Sequence, residues 1–313
     1  MKISRPDILY APVSLLLHGM ALLPMWVLYG LSDVLYVLIR YVVRYRVKVV
    51  RRNIGESFPE MSVAECRRTE RRFYRHFADY FVETIKLLHI SDAKVRQMME
   101  FVNVEEVDRS VAAGRSVAVY AGHYANWELL FGFEHFALPE GSADSYAFKR
   151  SNVAMVYKKL NSPLWDEIFR ECRLRLLGTD FENYIESAGI LRHVVEHHGD
   201  GYFYMFDTDQ RPYANAKAVM DVEFMGQPAQ TMYAGAGVAH KYGLAVSYLS
   251  MTRKPSGKGY LCELKTICDD ASKMEVQQIM DEFYRLLEAD IRKDPGEYLW
   301  SHKRWKLVNK NTK

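Results

Sequence analysis

Residues 116–128 read Ser-Val-Ala-Val-Tyr-Ala-Gly-His-Tyr-Ala-Asn-Trp-Glu, and this segment decides the fold. Its first part, Ser116 to Ala121, is an apolar run bounded by Gly114 and Gly122, a pattern typical of a buried strand. Such a strand delivers His123 at its carboxyl end, where α/β sheets usually bind ligands. The segment therefore predicts a sheet with a functional histidine at one edge.

Glu128 follows His123 by five positions, and we expect the two side chains to form a hydrogen bond. In one continuous helix, five residues rotate side chains apart by about 140°, so His123 must lie in the turn before the helix. A carboxylate on one imidazole nitrogen leaves the other as an acceptor, which suits a general base. Without further evidence, a purely structural role for His123 and Glu128 is as good an interpretation as a catalytic one.

The rest of the chain alternates helical and strand-like segments. Ser62 with Glu65 and Ser272 with Glu275 form capping-box patterns, each predicting a helix start. Further helices are predicted from Ser162-Pro163, over Tyr184–His198 and over Thr231–Lys241, and strands over Tyr202–Phe206, Leu244–Met251 and Tyr260–Ile267. The alternation predicts an α/β fold with a central mixed sheet flanked by helices.

An uncharged apolar stretch of 25 residues runs from Ile8 to Ser32, long enough to span a bilayer. Pro24 predicts a kink in it or a division into two pieces. A basic run follows, which by the positive-inside rule places the rest of the chain in the cytoplasm; it comprises Arg40, Arg44, Arg46, Lys48, Arg51 and Arg52. We expect a membrane anchor with a basic collar in residues 1–45 and a cytoplasmic domain in residues 46–313, with a buried core hairpin as the alternative to the anchor.

Composition and the remaining motifs narrow the functional classes. The net charge of +3, from 42 basic and 39 acidic residues, argues against a nucleic-acid-binding protein. The four cysteines include no CxxC pair. Residues 193–197, His-Val-Val-Glu-His, match a zinc-peptidase pattern, but no clear third ligand follows and the segment is better interpreted as a helix end. We expect no metal and no cofactor.

Four blocks carry a family resemblance. They are His123 with Glu128, residues 157–163 (Tyr-Lys-Lys-Leu-Asn-Ser-Pro), Asp209-Gln210 followed by residues 222–226 (Val-Glu-Phe-Met-Gly), and residues 295–305 (Pro-Gly-Glu-Tyr-Leu-Trp-Ser-His-Lys-Arg-Trp). In this order they resemble the bacterial lipid A biosynthesis acyltransferases, the late acyltransferases. The second block departs from the family's Tyr-Arg and Asn-Pro, because Lys158 replaces the arginine and Ser162 separates Asn161 from Pro163.

The resemblance implies a fold similar to that of the glycerolipid acyltransferases, with an N-terminal membrane helix. It implies transfer of a fatty acyl chain from an acyl-carrier-protein thioester to a hydroxyl of a lipid A precursor, on the cytoplasmic side of the bacterial inner membrane. His123 would act as general base, Glu128 would orient it, and Lys158 is the candidate by position for stabilising the oxyanion.

Six further residues are expected to bind substrate or support the site: Asn126, Tyr157, Asn161, Asp209, Gln210 and Arg304. Arg304 is expected to face lipid phosphates, and Asn126 is also a candidate oxyanion donor. Asp209 and Gln210 are as readily interpreted as a polar turn. The alternatives are the same chemistry on another acceptor, such as an amino-acid lipid or a lysophospholipid, and a non-catalytic membrane-associated binding protein.

Overall fold

The computed structural model describes residues 9–138, 142, 145–147, 149–177, 183–213, 216–256 and 259–306. The helices are α1 (Tyr10–Leu22), α2 (Met25–Val37), α3 (Val47–Ser57), α4 (Val63–Lys86), α5 (Asp92–Met98), α6 (Val104–Ala112), α7 (Phe133–Phe136), α8 (Pro163–Leu177), α9 (Ile190–His197), α10 (Ala234–Tyr242) and α11 (Val276–Lys293). The strands are β1 (Met99–Val102), β2 (Val117–Ala121), β3 (Val153–Tyr157), β4 (Tyr184–Glu186), β5 (Phe203–Asp207), β6 (Val219–Phe224), β7 (Gln227–Met232), β8 (Ala245–Arg253) and β9 (Tyr260–Cys268).

Seven strands form one mixed sheet in the order β1-β9-β8-β2-β5-β3-β4. All neighbours are parallel except β8 and β9, which pair antiparallel. The central strand β2 is buried along its whole length, as expected for a parallel strand covered on both faces. The predicted α/β fold with a mixed sheet flanked by helices is confirmed, while the likeness to glycerolipid acyltransferases stays a prediction.

Three local predictions need correction. The helix predicted over Tyr184–His198 begins only at Ile190, because Tyr184 pairs with Met155 as strand β4. The helix predicted over Thr231–Lys241 begins at Ala234, after β7 has ended at Met232. The capping box near the C-terminus is formed by Glu275 and Gln278, because the Ser272 hydroxyl is hydrogen-bonded to Asp270 instead.

The other elements agree with their sequence patterns. The strands predicted at Ser116–Ala121, Tyr202–Phe206, Leu244–Met251 and Tyr260–Ile267 are β2, β5, β8 and β9, with ends within two residues. Helix α8 begins at Pro163 as predicted. The Ser62–Glu65 capping box opens α4, with both reciprocal hydrogen bonds present.

The N-terminal apolar stretch forms two helices, since Leu23 is extended ahead of Pro24 and ends α1. Helix α2 continues through a π turn, so that Met25–Val42 is one apolar helix of 18 residues, long and apolar enough to cross a membrane. Only 17% of that helix is buried in the protein. The two charged residues within it, Asp33 and Arg40, both form ion pairs with α4, to Arg75 and Glu70.

Helices α1 and α2 are attached to α4 by polar contacts. The Lys86 ammonium donates to the carbonyls of Ala21 at 2.7 Å and Leu23 at 2.9 Å, where the chain leaves α1. The Ser32 hydroxyl donates to Asp79 at 2.5 Å. Arg40 of the predicted basic collar is buried, because it pairs with the buried Glu70 at 2.5 Å. Arg40 therefore does not belong to an exposed basic collar, contrary to the prediction.

Candidate active site

The candidate site lies at the carboxyl edge of three adjacent parallel strands. Strands β2 and β3 both pair with β5, so the residues that follow each strand meet at the same edge of the sheet. His123 follows β2, Asp209 and Gln210 follow β5, and Lys158 follows β3 directly. The sheet therefore brings together three of the four motif blocks.

The His123 imidazole is held from both sides. Nδ1 lies 2.6 Å from Oδ1 of the buried Asp209, and the same oxygen accepts the His123 backbone N–H at 3.1 Å. On the other side, Nε2 lies 2.8 Å from the side-chain amide nitrogen of Gln210. In the neutral imidazole, Nδ1–H donates to the carboxylate and Nε2 is the acceptor. This is the tautomer that a general base requires.

Asp209 also sets the proton affinity of His123. Burial lowers the pKa of the imidazole, but the charge and hydrogen bond of Asp209, with smaller contributions from Asp207 and Glu128, outweigh it and raise the pKa to about 9. Burial acts to raise the pKa of Asp209, yet the opposite charge and hydrogen bond of His123 leave it below its ordinary value. Asp209 therefore stabilises the imidazolium that forms when His123 takes up a proton.

The predicted hydrogen bond between His123 and Glu128 is wrong. Glu128 instead accepts two hydrogen bonds from Arg173 of α8, at 2.7 and 3.0 Å, and one from the Tyr80 hydroxyl at 3.3 Å. The reason is the backbone turn at Ala125, whose φ is +55°, followed by a 3-10 helix over Trp127–Gly132 that directs Glu128 toward α8. Any role of Glu128 in a reaction stays a prediction.

Arg173 is a site residue that was not predicted from the sequence. Its side chain is 12% exposed, lies over the Phe131 ring at 4.5 Å and reaches the same cavity as His123. One sequence feature could have indicated it. Arg173 follows Phe169 by four residues on the packed face of α8, where a charged side chain requires a partner. No motif in the sequence marks that partner as Glu128.

The fourth block, residues 295–305, which we call the closing motif, supports the loop that carries His123. The Leu299 N–H donates to the His123 carbonyl at 3.1 Å, and the Ala125 N–H donates to the Glu297 carbonyl at 3.0 Å. Tyr124 and Tyr298 form an isolated antiparallel bridge. The motif therefore acts as a brace for the loop rather than as a lining of the cavity.

Arg304 was expected to face lipid phosphates, and this prediction is wrong. It is buried, and its guanidinium donates to the Gln230 carbonyl at 2.7 Å and the Tyr284 hydroxyl at 2.8 Å. The closing segment runs beneath β7 and α11, so the charge joins these elements. Trp300 of the same segment is fully buried.

A cavity of about 320 Å³ opens beside His123. Its polar lining includes His123, Lys158, Arg173, Asp207, Thr208 and Gln210, and its walls include Trp127, Phe131, Tyr157, Leu191 and Met232. The Lys158 ammonium lies 3.6 Å from the centre of the Tyr213 ring, and Tyr157 stacks on Tyr184 at 3.9 Å. An apolar wall with a few convergent polar groups is typical of a small-molecule or lipid site.

Besides Asp209 and Arg304, two other predicted binding residues are not part of the cavity lining. Asn126 is fully buried and donates to Glu83 at 2.8 Å. Asn161 is exposed in the bend before α8 and is not part of the lining. Asn126 lies beneath the loop because the turn at Ala125 directs it inward. Asn161 points away from the cavity because it precedes the start of α8 at Pro163.

Asp207 is a second carboxyl group of the cavity. It ends β5 opposite Ala121, and its exposed side chain lines the cavity. Desolvation by the cavity walls raises its pKa to about 6, against the lowering effect of the His123 charge. It was not predicted from the sequence, where it appears only as the last residue of an apolar run.

Among the described residues, no group of three or more His, Cys, Asp or Glu side chains is arranged to hold a metal ion. In the zinc-peptidase pattern, His193 is hydrogen-bonded to the Tyr204 hydroxyl at 3.2 Å and His197 to Asp200 at 2.8 Å. These contacts are those of an ordinary helix end.

Comparison with known proteins identifies the family. The family model for bacterial lipid A biosynthesis acyltransferase matches residues 8–307, nearly the whole chain. The chain is also 25% identical over 289 residues to the lipid A biosynthesis lauroyltransferase of Escherichia coli strain K12, covering 91% of this chain and 87% of that protein. The protein belongs to the bacterial lipid A biosynthesis acyltransferase family.

Proposed function

We propose that this protein transfers a fatty acyl chain from an acyl-carrier-protein thioester to a hydroxyl group of a lipid A precursor. The observation that carries the proposal is the His123 imidazole, fixed at Nδ1 by Asp209 and directed with Nε2 toward an apolar cavity. Family membership supports acyl transfer to lipid A, and the family resemblance is the basis for the carrier-protein donor.

The chemistry follows from this geometry. The neutral His123 Nε2 takes the proton of the acceptor hydroxyl, which replaces the Gln210 amide at that nitrogen. The hydroxyl oxygen then attacks the thioester carbonyl and forms a tetrahedral oxyanion. When the intermediate collapses, the carbon–sulfur bond breaks and the imidazolium returns the proton to the leaving thiolate. No covalent enzyme intermediate is required.

The cavity lining includes two cations, Lys158 and Arg173, and we assign the oxyanion to one of them. Lys158 directly follows β3 and is available for the developing charge, as proposed from its motif position. Arg173 lies on the same cavity but is already paired with Glu128 in bidentate geometry. We therefore assign the oxyanion to Lys158, and assign Arg173 and Glu128 to holding the wall that contains Phe131.

We further propose that the protein acts at the cytoplasmic face of the inner membrane. The apolar helix Met25–Val42 would be the anchor, and residues 46–313 would form the catalytic domain. The exposed apolar side chains of α1 and α2 support this assignment, since large contiguous apolar surfaces mark membrane or protein contacts; they include Leu15, Leu16, Leu22, Trp26 and Val34.

Lipid mass spectrometry of a deletion strain tests the proposal. Loss of one secondary acyl chain from lipid A is expected, with recovery by the wild-type gene and none by His123→Ala, provided that the variant remains folded and membrane-bound. If lipid A is unchanged while an amino-acid lipid or a phospholipid loses an acyl chain, the acceptor is that lipid. If no acylated lipid changes, the proposed reaction is wrong.

A further inference from the structure

One face of helix α4 contacts the loop that carries His123. His76, Tyr80 and Glu83 are spaced as i, i+4 and i+7, which places them on one side of the helix. His76 Nε2 lies 3.1 Å from the Ala125 carbonyl, the Tyr80 hydroxyl donates to Glu128, and Glu83 accepts from the Asn126 amide at 2.8 Å. We call these three residues the α4 loop contact.

The loop needs such support because its backbone is strained. Ala125 has a φ of +55°, a conformation that an alanine rarely adopts, and it is fully buried. Strain of this kind persists only where surrounding contacts hold the backbone in place. The loop that places His123 is therefore determined by its neighbours rather than by its own sequence.

Glu83 joins this loop to two other elements. One carboxylate oxygen, Oε2, accepts from Asn126 and from the Tyr260 hydroxyl of β9, each at 2.8 Å. The other oxygen accepts from the Tyr29 hydroxyl of α2 at 3.0 Å. Glu83 is buried, so the carboxylate depends on these partners for the hydrogen bonds it would have in water.

We propose that Glu83 is a positioning residue for His123 and that Tyr29 couples the seating of the apolar helix α2 to the geometry of the catalytic loop. This inference rests on the proposed acyl transfer. Glu83 is not part of the cavity lining and acts through Asn126, whose side chain fixes the loop between His123 and Glu128. Helix α2 thus contributes to catalysis in addition to anchoring the protein.

The first test is Glu83→Gln, which keeps the side-chain shape and removes the charge. The expected result is a fall in kcat of about 10- to 100-fold, the order produced by a small displacement of a catalytic group, with KM for donor and acceptor little changed. The double variant Glu83→Gln/Asn126→Asp reverses the hydrogen bond, since the amide introduced on α4 then donates to the carboxylate introduced in the loop. It is expected to recover kcat relative to Glu83→Gln.

Asp290→Asn is the matched control. Asp290 is a buried carboxylate of α11 that accepts from the Tyr248 and Ser250 hydroxyls of β8, and none of these residues belongs to the loop or to the apolar helix. The control is expected to lower the thermal midpoint while leaving kcat per folded molecule unchanged, with the folded fraction measured by circular dichroism. Equal losses of kcat in the two variants would reduce Glu83 to a structural role and overturn the proposal.

Tyr29→Phe tests the coupling of α2 to the catalytic loop. If Glu83→Gln does not fold, this variant still tests the proposal. A smaller fall in kcat in the same direction is expected, and an unchanged kcat would contradict the coupling. The failure of this inference is distinct from that of the proposed function. Suppose that the wild type transfers acyl chains, that His123→Ala does not, and that Glu83→Gln keeps the wild-type kcat. In that case the inference about Glu83 is wrong and the proposed function stands.

Discussion

Replacing Asp209 by Asn should shift the pH dependence of catalysis to lower pH. Asp209 lies 2.6 Å from His123 Nδ1, and its charge and hydrogen bond are the main reason that the histidine pKa stands at about 9 rather than 6.5, since burial alone would lower it. A difference of this size corresponds to about 3 kcal/mol in favour of the imidazolium.

The sign follows from the role of His123 as a base. The base must be neutral, so the kcat/KM of the wild type should rise about tenfold per pH unit up to pH 9 and level off above it. In Asp209→Asn the burial of His123 remains and the neighbouring charge is lost. The midpoint should therefore fall to 6.5 or below, the ordinary value.

The plateau should fall as well, by about 10²- to 10⁴-fold, because the amide no longer stabilises the imidazolium or fixes the tautomer. The assay is acyl transfer from carrier-protein thioester to lipid A precursor between pH 6 and 10, alongside NMR titration of the His123 ring. Asp207→Asn is the control and should move the midpoint less, since Asp207 contributes less to the shift. An Asp209→Asn midpoint still near 9 would refute the reasoning.

Three further predictions concern other parts of the molecule. Lys158→Ala should lower kcat by about 10²- to 10³-fold, the usual effect of removing an oxyanion donor. Lys158→Arg should retain more activity than Lys158→Ala. Equal steady-state rates for Lys158→Ala and the wild type would exclude Lys158 as the oxyanion donor. Arg173→Ala leaves Glu128 buried without its cation and should lower the free energy of unfolding by about 3–5 kcal/mol, measured by urea denaturation; an unchanged midpoint would contradict the bidentate pair. Val34→Asp, near the centre of Met25–Val42, should oppose membrane insertion by about 3 kcal/mol; equal recovery of variant and wild type in carbonate-washed membranes would count against a spanning helix.

The sheet and its functional edge were predictable because their signals are local. Glycines bound the apolar run of β2, and the carboxyl ends of parallel strands meet at one edge whatever the loops do. His123, Asp209, Gln210 and Lys158 therefore come together as their positions after strands imply. The division of the apolar stretch at Pro24 is equally local, since proline restricts the residue before it.

The pairing within the site was not predictable because it depends on distant contacts. The turn at Ala125 is held by His76 and the Glu297 carbonyl, which are far from it in sequence. That turn directs Glu128 away from His123 and toward Arg173. Arg304 was misassigned for a related reason, because a charged residue in a closing motif gives no sign of whether the segment is buried.

The central claim is that His123 is the general base of acyl transfer. His123→Gln tests it most directly, since glutamine keeps a donor for Asp209 and removes the base. In a single-turnover assay with acyl-carrier-protein thioester and lipid A precursor, followed by mass spectrometry, the rate should fall by about 10²- to 10⁴-fold, while the thermal midpoint stays close to that of the wild type. Transfer at the wild-type rate by the folded variant would contradict the account.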